Sequence, residues 1–253
     1  MATTIEERKD ELVDRLAEEA SNKVGPQLSE GARQFVHSYF SLVSPDDILY
    51  TPQETLLGQA LSLWQFGAQR NPGAAKIRIF NPSLATENWT LEHTVIEIVN
   101  DDMPFLVDSI AAEINREERN IHLFIHPIVG VRRASSGQRI DASAGSDESN
   151  EAFLVTESYM HIEIDQETEP AELDALRSRL ETVLTDVRAS VTDWHAMRRK
   201  LNEDIAEIES NKPPLADEEV EEGTNFLKWL VDDHFLFLGY RRYVLGKEGS
   251  SEI

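Results

Sequence analysis

Four histidines, His93, His122, His126 and His161, are the side chains best suited to metal or proton chemistry, and all lie near segments that alternate like strands. The four-residue spacing of His122 and His126 would serve one ion on a helix. Ile121, Leu123, Phe124 and Ile125 instead favour a strand, where the two histidines stand ~13 Å apart at ~3.3 Å per residue. That is too far to share an ion held by bonds of about 2 Å, so no metal ligands are assigned. The ordinary reading is an outward or domain-facing sheet surface carrying His93, Glu97, His122, His161 and Glu163, with a metal or pH-sensing cluster as the alternative. Asp101-Asp102 and Asp232-Asp233 read as helix caps and solvated turns rather than acid-base dyads. No catalytic residue is assigned.

Cofactor chemistry is limited in the same way. A dinucleotide site needs glycines that let backbone approach a pyrophosphate at a helix start, yet no two of the 12 glycines are separated by a single residue. A chain without cysteine has no disulfide, thiolate nucleophile or zinc ribbon. Lys+Arg 24 against Asp+Glu 47 gives a net charge of -23, the wrong sign for a phosphate backbone or an anionic bilayer. No apolar run approaches the roughly 20 residues of a membrane span. The expectation is a soluble, cytoplasmic protein with no nucleic-acid or membrane partner.

The elements that must position these residues follow from periodicity. Residues 1–75 form an N-terminal helical segment: Ile5, Leu12, Leu16 and Ala20 make one stripe, Phe35, Val36, Tyr39 and Phe40 another, and Leu56, Leu57, Ala60, Leu61 and Trp64 a third. Thr51-Pro52-Gln53-Glu54 has the residue types of a capping box for the third helix. From Lys76 the period becomes two. Strands are expected over 76–80, over 94–99 with one face buried, over 121–131 as an edge or bent strand around Pro127, and over 154–164. Asp102 is the expected N-cap of a helix with Pro104 in its first turn and Leu106, Ile110 and Ile114 as its buried stripe.

Residues 134–152 are Ser, Gly, Asp and Glu around one isoleucine, which predicts a mobile loop. A helix from Glu169-Pro170, if unbroken to Asn211, would extend about 60 Å at ~1.5 Å per residue. An acidic linker is expected over 212–223, and residues 224–253, with the apolar run His234 to Leu245, as the start of a further, truncated domain. The fold class is α+β. The order from 92 to about 195 is βαββα, and one more strand, either 76–80 or 235–245, completes the ferredoxin-like βαββαβ. Residues 76–211 are therefore one domain, preceded by helices.

Trp64-Gln65-Phe66, Arg70-Asn71-Pro72-Gly73, Lys76 to Pro82, His93 to Ser109, Ile121 to Pro127, Glu157 to Asp165, Asp186-Val187-Arg188-Ala189 and Asp232 to Tyr240 resemble, in order, the N-terminal region of the large bacterial NAD-dependent glutamate dehydrogenases. The resemblance implies an ACT-type regulatory domain at the start of a longer polypeptide. It implies NAD as the cofactor of the full-length family, with the catalytic groups for oxidative deamination of L-glutamate to 2-oxoglutarate in a distant domain. No cofactor is expected in this chain, which is read as non-catalytic. The implied partners are the remainder of that polypeptide, further copies in a homo-oligomer and an amino-acid effector. ACT domains bind amino acids where the first strand turns into the first helix, here Asn100, Asp101, Asp102, Met103, Pro104 and Phe105. Asp102 and Pro104 fit the family pattern Asp-x-Pro-Gly, and Phe105 stands in place of its glycine. The two aspartates and the phenylalanine predict weak binding of free amino acids. The alternatives are a free-standing ACT-like sensor acting through a partner protein, and an enzyme using the histidine and carboxylate face.

Overall fold

The first helix is fixed at its start by a reciprocal pair: Glu7 N donates to Thr4 Oγ1 at 3.2 Å, and Thr4 N donates to Glu7 Oε2 at 2.7 Å. A computed structural model describes residues 4–116, 118–140, 153–235, 237, 239–241 and 243. Their elements are α1 (Ile5–Lys23), α2 (Ser29–Phe40), α3 (Pro45–Leu49), α4 (Gln53–Phe66), β1 (Lys76–Phe80), β2 (Thr94–Asp101), α5 (Leu106–Arg116), β3 (Ile121–Ile125), β4 (Ile128–Arg133), β5 (Arg139–Ile140), β6 (Phe153–Ile164), α6 (Pro170–Thr192), α7 (Trp194–Ser210) and α8 (Asp217–Trp229). A π-helical turn, Leu230–His234, follows. The chain divides within α6 into two compact units, residues 1–185 and 186–253.

In the first unit the sheet is antiparallel throughout. β6 is its spine: β2 pairs along one side, and β3 and then β4 pair along the other. β3 and β4 are one strand bent at His126-Pro127, where proline has no N–H to give the ladder and its carbonyl accepts from Tyr159 N at 3.0 Å. Because β2 and β3/β4 are both antiparallel to β6, they run parallel to each other, joined through α5 as a split β-α-β unit. β1 lies on the outer side of β2, with Ile79 opposite Ile96. Of the two candidate segments, 76–80 therefore joins the sheet, ahead of the motif in sequence. The described residues between 235 and 243 form no strand, so the expected βαββαβ is met only as βαββα with a preceding edge strand.

Alternation along β2 sends Ile96 and Ile98 to one face, where Met160 and Ile162 of β6 join them. Leu106, Ile110 and Ile114 of α5 and Leu176, Leu180 and Leu184 of α6 are the buried stripes of the helices that follow these strands. Each such side chain contributes up to ~2 kcal/mol through burial. The opposite face carries Glu97, Val99, Glu157, Tyr159, His161 and Glu163 and is covered by the N-terminal helices. Phe35 of α2 lies 5.2 Å from the Tyr159 ring, and Tyr39 lies 5.9 Å from His161. β2 thus buries both faces from Thr94 to Asn100, where alternation suggested one.

Several local expectations change for identifiable reasons. Residues 134–140, expected in a mobile loop, form a tight turn and β5: Ala134 N and Gln138 O bond at 2.9 Å, Gly137 takes φ 84°, and Arg139 is buried. The rest of that stretch, 141–152, lies outside the described residues. The helix expected to run unbroken from Pro170 to Asn211 ends at Thr192, whose hydroxyl donates back to Arg188 O at 2.6 Å beside Asp193. The acidic segment 212–223, expected as a linker, starts α8, because Asp217, Glu218 and Glu219 sit favourably in a first turn. Pro52 is the N-cap of α4 without a side-chain bond, while the Thr51 hydroxyl donates to Asp47 O at 2.7 Å, so the 51–54 capping box does not form. α5 begins at Leu106, later than an Asp102 cap requires.

Close approach of α4 to the sheet requires glycine at its C-cap. A Cβ on Gly67 would overlap the Tyr159 ring, whereas one on Gly25 meets nothing within 4 Å. Gly67→Ala is expected to destabilise the protein by about 1–3 kcal/mol. Gly25→Ala should stay within about 0.5 kcal/mol of wild type, both measured by urea unfolding.

Candidate functional site

Two sets of groups flank the sheet. On the α5 side, the turn after β2 opens a groove of about 390 Å³ lined by Asp102, Met103, Pro104, Phe105, His126 and Ile128, among others. Asp102 N donates to Thr156 O at 3.0 Å, which ties the start of the turn to the sheet. Phe105 takes φ 70°, a left-handed conformation that favours glycine and costs other residues of order 1–3 kcal/mol. Its carbonyl accepts from Ser109 N at 3.0 Å. The backbone therefore adopts a glycine-type shape without a glycine. His126 Nε2 and Ser158 Oγ are 2.5 Å apart in the groove wall. Burial lowers the pKa of His126 from its ordinary value, and the nearby Asp102 charge opposes this.

Of the residues expected at this turn, Asn100 is buried within β2 and Asp101 points to the opposite face. Asp101 accepts from Arg70 Nη2 at 2.6 Å and from Gly73 N at 3.0 Å. Its charge is thereby engaged away from the groove, whose two lining aspartates are Asp102 and Asp108 rather than Asp101 and Asp102. Residues 102–105 do line one site. His126 and Ile128 belong to it as well and were not expected there; the signal was the proline bend, which brings the end of β3 back towards the turn.

The second set is a buried ionic layer under α2 and α4. Glu157 is fully buried and accepts from Arg70 Nε at 3.0 Å, Arg133 Nε at 2.5 Å and Arg133 Nη2 at 2.7 Å. Arg133 also donates to Gly67 O at 2.9 Å and Gly137 O at 2.8 Å. Arg139 lies over the Trp64 ring, 3.2 Å from its centroid, and donates to Trp64 O at 2.9 Å. Further along, Gln59 Nε2 donates to Glu163 Oε1 at 2.8 Å, and Ser62 Oγ to Glu97 Oε1 at 2.7 Å. Burial raises the pKa of Glu97 despite Arg78 beside it. Burial also acts to raise Glu163, but His161 and His93 outweigh it and hold Glu163 below its ordinary value.

The expected outward or domain-facing polar surface is thus split. Glu97, His161 and Glu163 are covered, while His93 and His122 stack at the margin with ring centroids 4.1 Å apart. His93 Nδ1 lies 3.0 Å from Glu163 Oε2, and His122 Nε2 lies 2.8 Å from Asp165 Oδ1. His126 stands apart from them. Among the described residues, no group of three or more His, Cys, Asp or Glu is placed to hold a metal ion, and no helix is long and apolar enough to cross a membrane. Arg70, Arg133, Arg139 and Glu157 carried no signal in composition; strand parity, with Val129, Val131 and Arg133 on one face, was the available clue.

An antiparallel sheet of split β-α-β connection, with a groove at its first strand-to-helix turn, defines an α+β protein of ACT type. Residues 35–180 match the family "Glutamate dehydrogenase, ACT1 domain", and the chain belongs to that family. It is 34% identical over 239 residues to an NAD-specific glutamate dehydrogenase of Halomonas elongata, covering 94% of this chain and 15% of that protein. For the protein of the same name from Pseudomonas aeruginosa the identity is 33% over 242 residues, 94% of this chain and 14% of the relative. For that from Mycobacterium tuberculosis it is 28% over 150 residues, 58% of this chain and 9% of the relative. The chain thus spans about a seventh of the length of the first two relatives. The β2–α5 turn does not fit NAD: it has no glycine, Pro104 has no N–H, and a pyrophosphate would meet Asp102 and Asp108.

Two measurements check these assignments. Glu157→Gln leaves Arg70 and Arg133 buried with a charge uncompensated, and is expected to cost about 3–5 kcal/mol in unfolding free energy. Asp174→Asn, which removes an exposed pair with Arg177, should cost less than about 0.5 kcal/mol. For His126 the folded state binds fewer protons than the unfolded state below the ordinary value of 6.5, so its contribution is present above 6.5 and lost as pH falls through the lowered folded pKa. The unfolding midpoint of His126→Gln should therefore depend less on pH than that of wild type in that window.

Proposed function

We infer that this chain is a regulatory and assembly segment of an NAD-dependent glutamate dehydrogenase, and that it modulates rather than performs the oxidative deamination of L-glutamate to 2-oxoglutarate. In this reading the NAD-dependent chemistry belongs to the remainder of a polypeptide of the relatives' length, which works as a homo-oligomer in the cytoplasm. The observation that carries the reading is the groove at the β2–α5 turn. Phe105 holds a glycine-type backbone conformation there, and the first amides of α5 have no intrahelical partner. Its ligand is an amino-acid effector whose ammonium faces Asp102 and Asp108, with Met103, Pro104, Phe105 and His126 forming the walls. Asn100 and Asp101 support the turn from beneath. A free-standing sensor is disfavoured by the length of the relatives and by alignment along nearly the whole chain.

Purified chain supplied with glutamate and NAD is expected to form no NADH above a tag-only control. In a polypeptide of the relatives' length, Asp102→Asn together with Asp108→Asn should leave the basal rate within about twofold and weaken the response to an activating or inhibiting amino acid by about tenfold. NADH formation by the chain alone would overturn the division of labour. An unchanged amino-acid response would overturn the groove assignment and leave that division standing.

A further inference from the structure

A second, partly open space lies between α2 and the β4–β5 hairpin. It has a volume of about 160 Å³. Gly31, Gln34 and Ser38 of α2 form one wall, and Val131, Arg139 and Ile140 stand opposite. Leu28, Trp64, Ile128 and Val129 add apolar lining, and Arg132 also borders the space. The side chain that stands out is Arg139. It is 7% exposed, its Nε–H has no hydrogen-bond partner, and no carboxylate among the described residues lies within ion-pair distance of it.

The neighbouring arginines are compensated. Arg133 takes both oxygens of Glu157, and Arg70 takes Glu157 and Asp101. Three guanidiniums thus meet two carboxylates in one buried layer, and the unmatched positive charge falls on Arg139. The Trp64 face and carbonyl beneath it are neutral groups. Burial accordingly pulls the Arg139 pKa down. An isolated buried cation is costly, and an anion held in the cavity beside the guanidinium offsets that cost, although Nε itself is shut off from the space. Guanidinium donors match a carboxylate in geometry, and the remaining walls are mainly aliphatic and aromatic. A cavity of about 150 Å³ is filled by one benzene, so this space takes about six heavy atoms.

We propose that the cavity between α2 and the β4–β5 hairpin is a binding site for a short-chain monocarboxylate, its carboxylate against Arg139 and its tail against Leu28, Val131 and Ile140. Gln34 and Ser38 supply further polar contacts at the carboxylate end. The site shares Ile128 with the β2–α5 groove and does not depend on the function assigned to that groove.

Butyrate is the probe, with butyramide as its neutral isostere and chloride as the inorganic anion. Each is titrated into the whole chain while the Trp64 indole resonance and the unfolding midpoint are followed. Saturable binding of butyrate is expected, with butyramide weaker by about tenfold or more and chloride without saturation. Gly31→Leu places a side chain in the cavity from α2 and leaves the buried arginines in place; it should weaken butyrate by about tenfold or more. Arg139→Gln should do the same, and if that variant does not fold, Gly31→Leu decides. The proposal is overturned by no saturation up to about 50 mM butyrate, by butyramide matching butyrate, by chloride reproducing the effect, or by Gly31→Leu binding butyrate as wild type does.

Discussion

Two guanidiniums from different parts of the chain converge on one fully buried carboxylate, and the arrangement of the first unit depends on it. Arg70 follows α4, Arg133 ends β4, and Glu157 sits in β6 between β2 and β4. A buried ion triad of this kind contributes little net stability, because desolvation of the charges offsets most of their attraction. Its consequence is geometric. Glu157 can be satisfied only when the end of α4 lies over the spine of the sheet and β4 stands in its observed register. The Arg133 bonds to Gly67 O and Gly137 O extend the constraint to the α4 C-cap and the β4–β5 turn.

The same constraint governs the rest of the helix-covered face. Glu97 and Glu163 are buried, and each finds donors on α4 in Ser62 and Gln59. A one-residue slip of β2 against β6 would turn such residues into the apolar layer beside Ile110 and Leu180. Polar pairing on one face and aliphatic packing on the other thus specify one register together. The N-terminal helices pack into the same unit because α4 supplies donors, Ser62 and Gln59, to two of the buried carboxylates of the sheet.

Function follows the two faces. On the α5 side, a strained residue shapes the first strand-to-helix turn into a groove, and Arg70 draws Asp101 away from it. On the helix-covered side, the surplus of arginine over carboxylate leaves Arg139 facing a small cavity. One arginine network therefore bears on both places: it adjusts the charge of the groove and leaves the cavity its cation. Membership of the glutamate dehydrogenase ACT1 family frames the regulatory role proposed for the groove, and the cavity is the proposed place of a second small-molecule contact.

Local patterns in the sequence determined most elements. The apolar stripes of α1, α2, α4 and α5 and the alternation of β6 lie where periodicity put them, because burial of one face is encoded in the spacing of neighbouring residues. The ordered motifs from Trp64 onward also carried the family. Partners distant along the chain were not legible. Arg70 and Glu157 are separated by 87 positions, and nothing local distinguishes a buried arginine from a solvated one. Polar alternation at Glu97, His161 and Glu163 suggested an outer or domain-facing surface; tertiary packing put α2 and α4 over it. Phe105 was legible as a departure from glycine, but its backbone conformation was not, since strain at one residue is held by the strand and helix on either side. The choice of 76–80 as the edge strand was likewise tertiary: an alternating segment and an apolar run, 235–245, were both candidates, and only pairing with β2 distinguishes them.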